Sequence, residues 1–322
     1  MIEKLFILGF FIIQLVGFTS CVPSEKSAPE NIGNMSADVT LRTKPSAITD
    51  KPWQEVVINV EHFEDIAPFF QNIGSFEVLA QSETDLVLGA QGSENGFIHL
   101  KTIGEAPPAR PASSRAWDKG CYFSLMMRAK NLPSIIEDAK PLGWTPLTQL
   151  AYLEFGPSKL NIVVLTHETG VRVQLYERLT PPLPQDFTPF KRLSQPFNIM
   201  QMVENRNLGY DFYQQKLGFD TFYFGGPTRS EKEEVMPLGI PKKLTTTMPY
   251  LTGIMTPKAG LEYGRMEMID INGMSDGTNY VSRCNDEHTG IIKVRFLVDD
   301  IHAVRKNLRK RKVDIFGNST KS

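Results

Sequence analysis

The chain has 322 residues, 41% of them apolar, and sets 35 Lys and Arg against 36 Asp and Glu for a net charge of −1. That balance argues against a nucleic-acid partner, which would call for a basic surface, so function has to be read from motifs. The length suits two globular domains of about 130 residues each.

At the N-terminus Lys4 precedes an apolar run from Leu5 to Phe18, and small Thr19 and Ser20 stand before Cys21. This pattern fits a secretory signal peptide over residues 1–20. The run is shorter than the roughly 20 residues a membrane-spanning helix needs, so an uncleaved anchor is the lesser reading. The stretch Phe18-Thr19-Ser20-Cys21 resembles a bacterial lipobox, which implies lipidation of Cys21 and export to the periplasmic or outer side of a membrane. Val22 replaces the aspartate that would signal inner-membrane retention, so an outer-membrane lipoprotein is expected where the cell has such a membrane. Residues 21–52 are rich in Pro, Ser, Asn, Glu and Lys without apolar periodicity, and read as a lipidated flexible tether.

From Trp53 onward one pattern recurs. "WQEVVINV" (53–60) has strand character, "PFFQNIGSF" (68–76) reads as a short helix closed by a glycine, and residues 76–103 hold three strand-like segments separated by polar turns. A second unit begins at "CYFSLMMRAKNLPSIIEDAKPLGW" (121–144) and continues through "AYLEFG", "LNIVVLTH" and "VRVQLYERL". After the Pro-rich linker at 180–193, a third begins at "FNIMQMV" (197–203), with the helix "NLGYDFYQQKLG" and three further strands. The fourth, "GIIKVRFLVDDIHAVRKNLRKRKVDIF", contains only a strand and a helix. The expected fold class is therefore α+β, with tandem βαβββ modules and an incomplete fourth.

Phe69, Phe70, Phe212 and Tyr213 read as core-facing helix residues. Residues 228–243 read as a charged surface loop beside a cleft, and the basic run Arg305–Lys312 as a solvated helix face. His62, His167, His288 and His302 lack helical ligand spacing and read as surface residues. Cys121 and Cys284 fall in different units and read as buried free thiols.

The repeated strand-helix-(F/Y)-x-x-x-L-G-F units, seen in "VENRNLGYDFYQQKLGF", "MRAKNLPSIIEDAKPLGW" and "LVDDIHAVRKNL", resemble the vicinal oxygen chelate superfamily. That superfamily holds glyoxalase I, bleomycin-resistance proteins and extradiol dioxygenases. The resemblance implies two paired domains, residues 53–179 and 194–322, with a divalent metal (Zn, Ni, Fe or Mn) held by the first and last strands of paired units. It places Glu55, His99 and Gln174 as metal ligands in the first domain, with Ser124 as a poor fourth and Glu55 also as catalytic base. In the second domain the same positions are Asn198, Glu267 and Lys293, and the lysine's charge disfavours a metal there.

Two functions follow from the resemblance. One is a metal-dependent lyase, isomerase or dioxygenase acting on a small oxygen-rich molecule. The other is a non-catalytic small-molecule binder of bleomycin-resistance type. The incomplete fourth unit should leave an unpaired strand edge, which a homodimer could complete.

Overall fold

The computed structural model describes residues 5–8, 41–155, 157–184, 187–274 and 276–315. A short strand, β1 (Leu5–Leu8), precedes the repeated units. The first unit comprises β2 (Glu55–Val60), a single π-turn at Phe69–Ile73, β3 (Phe76–Gln81), β4 (Asp85–Ala90) and β5 (Phe97–Thr102). The second comprises β6 (Tyr122–Ala129), α1 (Leu132–Ala139), β7 (Thr145–Pro146), β8 (Ala151–Phe155), β9 (Ser158–Thr166) and β10 (Arg172–Thr180).

In the third unit β11 (Leu193–Met202) leads into α2 (Arg206–Asp211), which runs on as a π-helical segment to Leu217. It is followed by β12 (Asp220–Thr228), β13 (Tyr250–Thr256) and β14 (Arg265–Ile271). The fourth is β15 (Gly290–Leu297) and α3 (Ile301–Lys310), capped by Asp300, whose carboxylate accepts from the backbone of His302 and Ala303. The α+β class and the βαβββ order are those read from the sequence.

The two glycine-closed helix ends share a signature with different causes. Gly218 sits at φ 74°, the left-handed conformation that ends helices, and a Cβ there would lie 2.6 Å from the Pro45 carbonyl. Gly74 keeps a helical φ of −77°, and its need is space: a Cβ would meet the Phe70 carbonyl at 2.5 Å and the Phe76 ring at 2.9 Å.

The units pair in a nested manner. The first sheet has the order β1-β15-β2-β5-β4-β3, so β2 of the first unit joins β15 of the fourth. In the second, β12-β13-β14-β11-β6-β10-β9-β7 with β8 on β9, the seam is the antiparallel pair β6–β11. The division expected from sequence order, 53–179 and 194–322, therefore does not match the sheets. Inter-unit pairing is made at strand edges selected by long-range packing, and adjacency along the chain does not determine it.

One continuous apolar core joins all four units. Phe69 stacks on Trp144 at 4.5 Å, linking the first and second, and Phe219 meets Phe296 at 6.1 Å, linking the third and fourth. Phe69, Phe70 and Tyr213 are buried as expected, with Phe212 packed at the margin. On α3, Val304 and Leu308 face this core while Lys306, Arg309 and Lys310 stay exposed, in keeping with a solvated basic face.

Four expectations change. Residues 41–52 are not free tether: Ala47 and Ile48 are buried, and the Arg42 backbone N–H donates to Asp220 Oδ1 at 2.7 Å. Cys121 and Cys284 form a disulfide. The loop before β15 runs beside the segment before β6, where Trp117 donates to Asp276, and Lys119 and Tyr280 exchange a backbone bond, so cysteines of different units meet. His167 is buried, its Nδ1 3.1 Å from the Thr169 hydroxyl. Cys21 lies outside the described residues. In the uncleaved chain the outer edge of β15, expected to be unpaired, is covered by β1 in register Leu5 to Leu297; cleavage ahead of Cys21 would remove β1 and leave that edge open.

Candidate functional site

The nested pairing sends the expected ligand residues to two different clefts. Glu55 and His99 lie on neighbouring parallel strands of the first sheet, while Gln174 lies in the second. The expected set of Glu55, His99 and Gln174 around one ion is therefore not assembled.

In the first cleft Arg295, on β15 directly opposite Glu55, converges on the same two atoms through which the candidate ligands contact each other. Its Nη1 donates to Glu55 Oε1 at 2.5 Å and lies 2.9 Å from His99 Nδ1. His99 Nδ1 is also 3.0 Å from Glu55 Oε1, and its Nε2 is 2.6 Å from Asp85 Oδ1. Burial works against the Glu55 charge, but His99 and then Arg295 outweigh it and hold the carboxyl below its ordinary range. For Asp85 burial is likewise overcome, by Thr84 and His99. A guanidinium bonded to the atoms a metal would need is a poor fit for a divalent cation, because the two charges repel at contact distance. Lys293 turns to Asp286 instead, with Nζ 2.7 Å from Oδ2.

The second cleft is built by side chains at every second position of four strands, since alternate residues share a face. On β6 these are Ser124, Met126 and Arg128; on β10, Gln174, Tyr176 and Arg178; on β14, Arg265, Glu267 and Ile269. Register aligns Gln174 with Met126, Met126 with Asn198, and Asn198 with Arg265. Met200 stands between Ser124 and Glu267 in the adjacent row. Ser124 and Gln174, expected in the first domain's ligand set, and Asn198 and Glu267, expected in the second's, thus meet here.

These groups satisfy one another. The Ser124 hydroxyl donates to Gln174 Oε1 at 3.2 Å, Gln174 Nε2 donates to the Tyr176 hydroxyl at 2.7 Å, and Asn198 Nδ2 donates to Glu267 Oε2 at 2.7 Å. Burial pushes the Glu267 carboxyl up to about 7, only partly offset by Asn198 and Arg265. One carboxylate, two amides and a hydroxyl, already hydrogen-bonded together, do not fit a divalent metal that binds through imidazole and carboxylate groups. Among the described residues no group of three or more His, Cys, Asp or Glu could hold a metal ion.

Around this polar strip lies a cavity of about 450 Å³. Its walls are mostly apolar, including Leu160, Ile162, Phe197, Met200, Phe222 and Ile254. Residues 228–243, read from sequence as a loop beside a cleft, bury Met236 and Leu238 into its wall. Burial pushes Tyr250, another wall residue, up to about 12, so its hydroxyl remains a hydrogen-bond donor near neutrality.

Sequence reasoning missed Arg295, the cleft arginines Arg128, Arg178 and Arg265, and the wall residues Met236 and Leu238. Counting two or four positions along a strand from Ser124, Gln174 and Glu267 would have reached Arg128, Tyr176, Arg178 and Arg265.

No protein-family model matches the sequence, and no curated protein matches it. Solved structures do match. A glutamate-to-glutamine variant of glyoxalase I from Zea mays aligns with a TM-score of 0.52 at 10% identity, over 81% of this chain and 80% of that one. A valine-to-glutamate variant of the same enzyme aligns with a TM-score of 0.52 at 11% identity, over 81% and 79%. The chain has the glyoxalase-like, vicinal oxygen chelate fold.

Proposed function

We propose that this protein binds an apolar or aromatic small molecule in the cleft between its second and third units without metal-dependent turnover. The observation that carries this reading is the approximately 450 Å³, largely apolar cavity, whose ligand-position residues are hydrogen-bonded to one another. An apolar pocket with a few fixed polar groups is the usual form of a small-molecule site. The other cleft supports the same reading, since Arg295 bonds to the atoms a metal would use.

The test is fluorescence titration of the full chain with the neutral probe N-phenyl-1-naphthylamine, with and without chelator. Saturable one-to-one binding that ignores chelator and is abolished by Leu153→Trp, at the partly exposed rim, is the expected result. Near-stoichiometric metal by plasma mass spectrometry that disappears in Glu267→Gln would overturn it in favour of a metalloenzyme.

Export and lipid attachment at Cys21 belong to the same proposal. The Cys121–Cys284 disulfide supports it, because such bonds persist in oxidising compartments. Membrane-fraction protein should become soluble in Cys21→Ala. Retention of that variant in the membrane would refute lipid anchoring.

A further inference from the structure

The cleft holds a charge imbalance that its own residues do not resolve. Arg128, Arg178 and Arg265 all line the cavity. Each lies close enough to another of the three for their charges to repel. Arg128 is 6% exposed, its guanidinium 4.1 Å from the centre of the Phe197 ring, and it has no carboxylate at ion-pair distance among the described residues. Arg178 likewise has no ion-pair partner among the described residues, and the Nε atoms of all three arginines lack hydrogen-bond partners there. Among the described residues only Arg265 has a carboxylate at ion-pair distance, the partly exposed Glu262 at 3.4 Å, and it stacks on Phe222 at 3.7 Å; Glu262 acts on Arg128 and Arg178 from farther away, and buried Glu267 on Arg265, so two acids stand against three arginines.

Buried cations are normally paired, because desolvation without a counter-charge is costly. Three guanidiniums lining an apolar cavity, those of Arg128 and Arg265 held on aromatic rings, form a seat without an anion. We infer that the ligand of this cleft is an amphipathic organic anion, with a carboxylate or sulfonate on the arginine cluster and an apolar or aromatic body against Met126, Ile162, Met200 and Ile254.

This rests on the binding function proposed above and adds the charge of the ligand. Phe197 and Phe222 pre-orient Arg128 and Arg265 by cation–π contact; Arg265 already donates Nη2 to the Leu261 carbonyl at 3.0 Å, so Arg128 is the guanidinium whose fork a planar anion would meet first. Arg265 pairs with Asn198 in register, and Arg128, opposite Tyr176, lies one row on from Gln174, so an anion there leaves the ring of a bound molecule over the polar strip.

The experiment compares two probes that share a ring system. These are 8-anilinonaphthalene-1-sulfonate, which is anionic, and N-phenyl-1-naphthylamine, which lacks the sulfonate. Each is titrated into the full chain by fluorescence, with stoichiometry checked by calorimetry. The anionic probe is expected to bind at least about tenfold more tightly, as a charge-assisted hydrogen bond would give. Arg128→Gln should remove that preference, lowering anionic-probe affinity at least about tenfold more than it changes that of the neutral probe. Arg178→Gln, at a partly exposed position that tolerates change, should lower the preference in the same direction. Equal affinities, or variants that weaken both probes alike, would overturn the anion seat and leave the binding reading intact. Failure of both probes to bind would overturn both.

Discussion

The two clefts come from the same repeated unit and have opposite interiors. The first, between units one and four, is closed by charge: Glu55, His99, Asp85 and Arg295 bond to one another where the fold could have held an ion. The second, between units two and three, is open and apolar, and Arg128 and Arg178 in it have no carboxylate at ion-pair distance among the described residues. Paired strands thus supply a recess in each case, and side chains at a few inward positions decide whether it becomes a structural ion-pair network or a binding site. Fold likeness alone cannot assign function to either.

The contrast can be broken at its covalent tie first. Cys121 and Cys284 link the segment entering β6 of the second sheet to the loop entering β15 of the first, across a sequence separation of 163. A paired serine replacement should lower stability by about 5 kcal/mol on the chain-entropy account. Urea unfolding should stay a single transition if the shared core holds the sheets together, and separate transitions would show that the clefts are independent bodies.

The next effect is at Arg295. Arg295→Met leaves the buried Glu55 carboxylate without its guanidinium and should cost about 3–5 kcal/mol. Adding Glu55→Gln should recover part of that loss. A cost below about 1 kcal/mol for the single variant would mean that the ion-pair network does not hold the first cleft closed.

Carboxylates in the two clefts should also give opposite pH dependence. Glu267 is lifted from 4.5 to about 7, so between those values the folded protein keeps a proton that the unfolded chain has lost. Stability therefore falls as pH rises through that window, by on the order of 3 kcal/mol, and Glu267→Gln should flatten the slope. Glu55 and Asp85 are depressed, so their contribution is present above the ordinary carboxylate range and is lost as pH falls through their folded values. Denaturant midpoints measured from pH 3 to 8 in both backgrounds separate the two slopes. A Glu267→Gln variant with the parent's slope near pH 6 would show that this carboxyl is not held protonated.

The smallest change is Ser124→Ala, which removes one buried hydrogen bond to Gln174 and should cost about 1 kcal/mol without weakening the neutral probe. Loss of probe binding would make the polar strip a direct part of the seat.

Much of this architecture was legible locally. The strand and helix segments follow from β-branched runs, amphipathic helices and glycine-closed ends, and the inward positions of Ser124, Gln174, Asn198 and Glu267 follow from a two-residue period once the strands are placed. Which units share a sheet was not legible, because β2 pairing with β15 and β6 with β11 depends on packing across the whole chain. Arg295 escaped notice for that reason: it matters only because its strand lies beside Glu55. The disulfide was hidden likewise, since the two cysteines meet through loops with no shared local signal. The arginine seat was within reach of periodicity, but a search confined to metal-ligand residue types passed over cations.

The nested pairing also sets an order in time. During synthesis the second and third units can close their sheet once residue 271 is available, whereas β2 must wait for a partner 240 positions later, where Arg295 reaches Glu55. The first unit therefore spends most of elongation with its apolar strand edge uncompleted. Premature pairing of that edge with a neighbouring nascent chain is the error this topology most invites, and slowing translation after residue 271 should lower the yield of native protein.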